Sequence, residues 1–404
     1  MTMTKHARPL VTLAALSLLA ACAPAPAEDP TSVKVGLLLP FTGASAASSG
    51  NFERAVLFAR DQINAGGGVK GRKLQIVSAD THSDPARARQ SIDALIADGV
   101  TVVIGPESAE IAGDVKPMLD AHEIVFLSPV VGAADDEAVD CATPWFRLAP
   151  SARALGEALA KQARADLMAN VALFHAEGAY DQALATAFRN RFLSLGGTIA
   201  VDQVLRSDAQ SYAGSITPTQ LAAVDAQVLA APTRPAALLV NEVRLLEPRQ
   251  TRWYLSPLLK TELLLENVAP SALEGATGVT PRIFDTTSDF PTAFAQRWSG
   301  DRPLDGAYFY YDAMALLAFG LERAALGPDG QLHASELRAA IAASTGNRGE
   351  PGAWNELPLS LQRLREQVDM HYSGLTGPIL LQPCGDRRTG ESSAWTVRDG
   401  QIQP

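Results

Sequence analysis

Val33-Lys34-Val35-Gly36-Leu37-Leu38-Leu39-Pro40 decides how this chain is read. A short apolar run ended by proline is the pattern of a buried strand. Small residues fill 41–50. Phe52, Ala55, Val56, Ala59 and Ile63 then recur at helical spacing until Gly66-Gly67-Gly68 stops them. Outward from there the alternation repeats. Leu74-Gln75-Ile76-Val77 is a strand, and Asp84-Pro85 opens a helix with proline in its first turn. A strand at 100–104, a helix at 108–121 and a strand at 124–127 follow. Strand–helix–strand units of this length give a parallel sheet with right-handed crossovers.

Phe146-Arg147-Leu148-Ala149-Pro150 reads as a crossing into a second lobe, where the alternation restarts. Helices are expected over 154–165, 183–195 and 234–246, and strands over 171–174, 198–205, 226–230 and 253–255. The fold class is therefore α/β, with two doubly wound, Rossmann-like lobes of parallel sheet and a cleft between them. Open parallel sheets take ligands beyond the carboxyl ends of their strands. The loops after Leu39, Ile104, Leu127, Phe174, Ala230 and Leu255 are the ones that matter. Residues 290–298 and 305–323 pattern as helices, and Tyr308-Phe309-Tyr310-Tyr311 reads as core plus helix face. Residues 345–356 are loop-like, and strands return at 377–381 and 394–397. The expected division gives lobe 1 residues 33–148 plus roughly 275–345. Lobe 2 takes 149–274 plus roughly 346–404 with the hinge return.

The 404 residues are 47% hydrophobic and carry a formal charge of −10. That suits two domains with ample cores. An acidic chain without a Lys/Arg run does not fit phosphate-led nucleic-acid binding. The six histidines are scattered without HExxH, and no Cys/His spacing suggests zinc or another metal. No cofactor fingerprint, P-loop lysine or GxSxG elbow is present. Ser108, His175 and Asp181 could be drawn as a triad, but without that elbow the chain does not read as an enzyme.

Lys5, His6 and Arg8 precede an apolar run from Leu10 to Ala21 that is too short to span a bilayer. This is the pattern of a secretory signal over residues 1–21, followed by an extended Pro/Ala tether over 22–32. Leu19-Ala20-Ala21-Cys22 resembles the lipobox of bacterial lipoproteins. That resemblance implies acylation of Cys22 and a lipid anchor in the cell envelope. It favours the outer membrane of a two-membrane cell, because Ala23 replaces the Asp that retains lipoproteins inside. A plain signal peptide with an incidental cysteine is the alternative. With Cys22 acylated, Cys141 and Cys384 remain of the three cysteines. In an oxidising compartment they can pair, the alternative being two free buried thiols.

Several ordered strings resemble one family. They are Leu37-Leu38-Leu39-Pro40-Phe41-Thr42-Gly43, Gln62-Ile63-Asn64-Ala65-Gly66-Gly67-Gly68-Val69-Lys70-Gly71-Arg72, and Ala79-Asp80-Thr81-His82-Ser83-Asp84-Pro85. Val103-Ile104-Gly105-Pro106, Leu127-Ser128-Pro129, Phe146-Arg147, Tyr180, Gly374-Leu375-Thr376-Gly377-Pro378 and Gly385-Asp386-Arg387 complete the order. The chain is thus similar to the type I periplasmic solute-binding proteins of ABC importers, in the Leu/Ile/Val-binding branch. The resemblance implies two lobes joined by three crossovers, closing over a small ligand and docking on a permease.

The resemblance also places candidate ligand contacts. Ser108 and Ala109 stand where relatives hold a carboxylate at a helix N-terminus. Glu107 and Glu110 flank them and read as solvated first-turn residues. Val130, Val131 and Gly132 replace a small-small-Thr set, and Tyr180 matches a second-lobe Tyr beside the ligand. Arg234 lies in one further loop, and Leu258 falls where amino-acid binders carry an acid. Ser48, with Ser45 and Ser49, is a polar candidate in the first loop. An alkylammonium needs acceptors once desolvated, and these positions supply neither Thr nor acid. A small ligand that is not a zwitterionic amino acid is therefore expected. The alternative is a lipoprotein that uses the same fold as a docking or sensory partner.

Overall fold

The structure is a computed structural model describing residues 32–132, 143, 145–214, 216, 224–246, 251–284, 289–328, 332–382, 384–387 and 390–404. The expected signal peptide, Cys22, all of the tether but Ser32, and Cys141 lie outside these residues. Cys384 is disulfide-bonded. No helix among the described residues is long and apolar enough to cross a membrane.

Lobe 1 begins with β1 (Val33–Leu39), α1 (Ser49–Ala65), β2 (Leu74–Asp80), α2 (Pro85–Ala97), β3 (Val102–Ile104), α3 (Ala109–Ala121), β4 (Val125–Ser128) and β5 (Trp145–Arg147). The strands form one wholly parallel sheet in the order β2-β1-β3-β4-β5. Alternation along β1 sends Val35, Leu37 and Leu39 into the core under α1, and Leu38 into the core with Ile92, Leu95 and Val115. Asp84 caps α2 by accepting from the Arg87 N–H at 2.9 Å, with Pro85 in the first turn.

Lobe 2 follows with α4 (Ala152–Ala165), β6 (Asn170–Ala176), α5 (Ala179–Ser194), β7 (Thr198–Leu205), β8 (Ala226–Ala230), α6 (Thr233–Leu246), β9 (Arg252–Leu255), α7 (Glu262–Asn267) and β10 (Thr277–Pro281). The chain then re-enters lobe 1 as α8 (Phe290–Arg297), α9 (Asp305–Arg323), α10 (Ala334–Ala343), β11 (Glu350–Gly352), α11 (Leu357–Arg365), β12 (Met370–Gly374) and β13 (Gly377–Pro378). It ends in lobe 2 with β14 (Ser392–Arg398) and β15 (Gln401–Gln403), completing a sheet in the order β15-β14-β10-β9-β8-β6-β7. The last two strands run antiparallel, β14 on β10 and β15 on β14.

These returns move the expected boundaries. β10, placed by sequence at the start of a lobe-1 segment, pairs with β9 and β14 of lobe 2. Residues 346–379, expected in lobe 2, share the lobe-1 core through Trp354, Leu357, Leu361, Tyr372 and Ile379. Their partner is α9, an almost wholly buried helix that carries Tyr308, Phe309, Tyr310 and Tyr311 into that core.

The chain thus crosses between lobes three times, after β5, after β10 and after β13. Arg147, on the first crossing, pairs through Nε and Nη2 with both carboxylate oxygens of Asp386 on the third, the Nη2 contact at 2.8 Å. Arg387 donates to Leu148 O at 3.0 Å and to Thr376 O at 2.6 Å. Asp312, fully buried on α9, accepts from Tyr372 Oη, Leu375 N, Thr376 N and Thr376 Oγ1 at 2.7–2.9 Å. Gly374 makes this possible, because a Cβ there would lie 2.5 Å from Asp312 Oδ2. Arg282 joins the second crossing to the third by pairing with Glu391 at 2.7 Å.

Candidate functional site

The lobe-1 wall starts at the end of β3, where a cis Gly105–Pro106 bond leads into Glu107 and Ser108. Ser108 caps α3, its Oγ accepting from the Ile111 N–H at 3.4 Å. Ala109 and Glu110 are exposed. Glu107 differs from the solvated residue expected. It is half-buried, and its Oε2 is inaccessible and has no hydrogen-bond partner. Burial pushes the carboxyl up to about 7, an accepted backbone hydrogen bond at the same residue opposing the rise.

Val130, just beyond β4, is half-buried against Gly306 in the first turn of α9. A Cβ on Gly306 would lie 2.5 Å from the Phe52 ring and 3.3 Å from Val130 Cγ1, so α1, α9 and the β4 turn converge there. One helical turn on, the Tyr310 ring stacks on Phe52 with centroids 4.8 Å apart. Tyr310 is fully buried, yet its hydroxyl has no hydrogen-bond partner. Burial first, and the Glu107 charge second, hold that hydroxyl well above its ordinary pKa. Phe52, Glu107, Val130 and Tyr310 therefore gather at the carboxyl end of the lobe-1 sheet, with Ser108 beside them in sequence.

Other expected contacts are placed differently. Val131 is buried at 4% exposure. A Cβ on Gly132 would lie 2.1 Å from Pro150 O, so this glycine serves the close approach of the first crossing. Ser48 is half-buried just before α1 and its side chain makes no capping bond.

On lobe 2, Tyr180 packs against the core cluster of Ala152, Leu155, Leu184 and Phe188. Burial, then the neighbouring Asp181 charge, raises its hydroxyl pKa. Asp181 is 5% exposed with Oδ1 unpartnered, and burial pushes its carboxyl up to about 7. Arg234 is exposed in the first turn of α6, and Leu258 is 49% exposed just after β9. His175 is not set up as a base toward Ser108. Its Nδ1 lies 3.1 Å from Ala176 O and its Nε2 3.6 Å from Asp202 Oδ1. The lobes meet where Lys260, beyond β9, donates to Asp305 at the start of α9 at 2.6 Å. This contact puts the Gly306–Tyr310 turn at the boundary between the lobes.

Sequence reasoning does not single out Phe52 and Tyr310, which the structure brings to this wall. Phe52 carried only a helical-period signal, and Tyr310 only an aromatic run that its burial explains.

A family model described as periplasmic binding protein matches residues 32–356. A Leu/Ile/Val-binding protein of Rhizobium johnstonii is 28% identical over 170 residues, 42% of this chain and 46% of that protein. A Leu/Ile/Val-binding protein homolog of Brucella melitensis is 26% identical over 158 residues, 39% of this chain and 43% of that protein. The chain thus matches less than half the length of these curated relatives. A leucine-binding protein of Thermotoga maritima superposes with a TM-score of 0.73 at 18% identity, covering 92% of this chain and 97% of that one. A solute-binding protein from R. palustris, solved with benzoate, gives 0.69 at 18%, covering 92% and 94%. These likenesses carry the fold, two lobes of parallel sheet linked by three crossings. The family is one of solute-binding proteins, not of enzymes. With the family model matching most of the chain and the strand order in agreement with the type I fold, the chain belongs to the periplasmic binding protein family and resembles its Leu/Ile/Val-binding members.

Proposed function

We propose that this chain is the substrate-binding lipoprotein of an ABC-type importer. It is exported, anchored at Cys22 and closed by a Cys141–Cys384 bridge. It captures a small ligand between its lobes and offers the closed form to a permease. The observation that carries this reading is the position of the Phe52, Glu107, Val130 and Tyr310 group. It lies at the carboxyl ends of the lobe-1 strands, at the boundary marked by the Lys260–Asp305 contact. The ligand is not a free α-amino acid. Ala109, Val130, Gly132 and Leu258 offer no side-chain hydrogen-bonding group, and Glu107 stands where an amino-acid carboxylate would approach α3.

Native mass spectrometry of protein purified without refolding tests the reading. A stoichiometric small molecule, lost on denaturation, is expected. An empty protein that also fails to gain thermal stability from any member of a solute library would overturn it.

A further inference from the structure

The lobe-1 wall contains two buried polar atoms without a hydrogen-bond partner among the described residues, Glu107 Oε2 and Tyr310 Oη. Buried polar atoms almost always have partners, and an exception calls for an explanation. The two lie at neighbouring strand ends. The turn that carries Glu107 is tied to the end of β4 by Gly105 N donating to Leu127 O at 2.9 Å and Ser128 Oγ to Gly105 O at 3.2 Å. Val130, two residues beyond β4, reaches the Gly306 turn, where the Tyr310 ring is stacked on Phe52. Val130 and the Phe52 ring supply apolar surface around them, both reaching the Gly306 turn of α9. A carboxyl oxygen can only accept unless it holds a proton, and a tyrosine hydroxyl both donates and accepts. With Glu107 ionised, the one kind of partner that both atoms can share is a donor.

The anion-attracting end of α3 points the same way. A helix N-terminus ordinarily offers free N–H groups to a carboxylate. Here Ser108 Oγ accepts from the Ile111 N–H, and the Glu107 carboxyl takes its own backbone N–H. Two of those donors are thus taken, and an incoming carboxylate would meet the Glu107 carboxyl beside the ones that remain.

We propose that Glu107 and Tyr310 form an acceptor pair for an amine or amidine carried on an apolar body, and that Glu107 excludes carboxylate ligands from this wall. The inference rests on the ligand-capture reading above and narrows its substrate class. The site selects a small organic cation whose N–H groups complete the pair while its hydrocarbon lies along Phe52 and Val130.

Two matched pairs of probes test it by calorimetry: isopentylamine against leucine, and benzamidine against benzoate. Each pair shares a hydrocarbon body and differs in charge. The cationic member of each pair is expected to bind and the carboxylate member to give no heat. Glu107→Gln, which keeps the shape but removes the charge, is expected to weaken the cations about 10- to 100-fold, the range for a lost hydrogen bond to a charged group. Tyr310→Phe keeps the stack on Phe52 and is expected to weaken them about 3- to 10-fold. Thermal melts establish that both variants are folded. Tighter binding of leucine or benzoate than of its cationic counterpart overturns the pair and leaves ligand capture standing. Unchanged cation affinity in folded Glu107→Gln overturns the pair as well. Silence from all four probes, with a different molecule co-purifying, does the same.

Discussion

The hinge and the cleft wall treat buried polar groups in opposite ways. In the hinge, Asp312 has both oxygens engaged, four contacts at 2.7–2.9 Å, and Arg147 meets Asp386 with two nitrogens. Arg387 donates from both terminal nitrogens, although burial lowers its pKa to about 10 and only its Nε lacks a partner. In the lobe-1 wall Glu107 and Tyr310, and on lobe 2 Asp181, each keep a buried oxygen with no partner among the described residues. Satisfied groups of this kind fix a structure, because removing one side strands the other. Unsatisfied groups lower stability and persist where something else requires them. The comparison sets a region whose geometry is fixed by mutual bonds beside the wall proposed above for the ligand, where bonds are left unmade.

The hinge side breaks hardest. Asp312→Ala removes the acceptor of the buried Leu375 and Thr376 backbone N–H groups, and is expected to cost about 3–5 kcal/mol by denaturant unfolding. A loss below about 1 kcal/mol would remove the contrast with the cleft.

Asp181 should respond with the opposite sign. Its folded pKa, about 7, lies above the ordinary 3.8, so the folded state holds this proton more tightly than the unfolded chain. Its contribution is fully present below about pH 4 and is lost as pH rises through 7. Asp181→Asn is expected to flatten that segment of the stability–pH curve and to raise stability at pH 8 by about 2 kcal/mol. Melting curves between pH 4 and 8 check both. The smallest effect belongs to the Lys260–Asp305 contact, whose side chains are 23% and 44% exposed. Lys260→Met is expected to change stability by less than about 1 kcal/mol, with the difference shrinking in added salt.

Much of the fold was legible locally. The β1 alternation, the Asp84-Pro85 helix start and the Gly66-Gly67-Gly68 stop are short-range signals, and each element stands where the pattern put it. Which sheet a late element joins was not legible. β10 has no strong local strand pattern, and it is held by pairing with β9 and with β14, where the Trp395 ring lies 2.3 Å from where a Cβ on Gly278 would be. α10 and α11 flank a Gly-, Pro- and Asn-rich stretch whose loop composition masks the short helical patterns on either side. The hinge strings were recognised only through family resemblance, since Arg147 and Asp386 are 239 residues apart. Glu107 was misread for the same reason. Its immediate neighbours suggest an exposed first turn, and the groups that gather at its wall come from Phe52 and from Tyr310, some two hundred residues later.

The three crossings are unevenly fastened. The first and third are bound by shielded charge and by backbone bonds from Arg147 N to Gly385 O and from Arg387 N to Arg147 O, each 3.1 Å. The second is joined to the third by an Arg282 N–H to Glu391 O bond of 2.8 Å and by a side-chain pair standing half in water. The shielded pair is out of reach of dissolved ions and the wet one is not. Added salt therefore slackens the Arg282–Glu391 side-chain contact and leaves the strap between the first and third ribbons as tight as before.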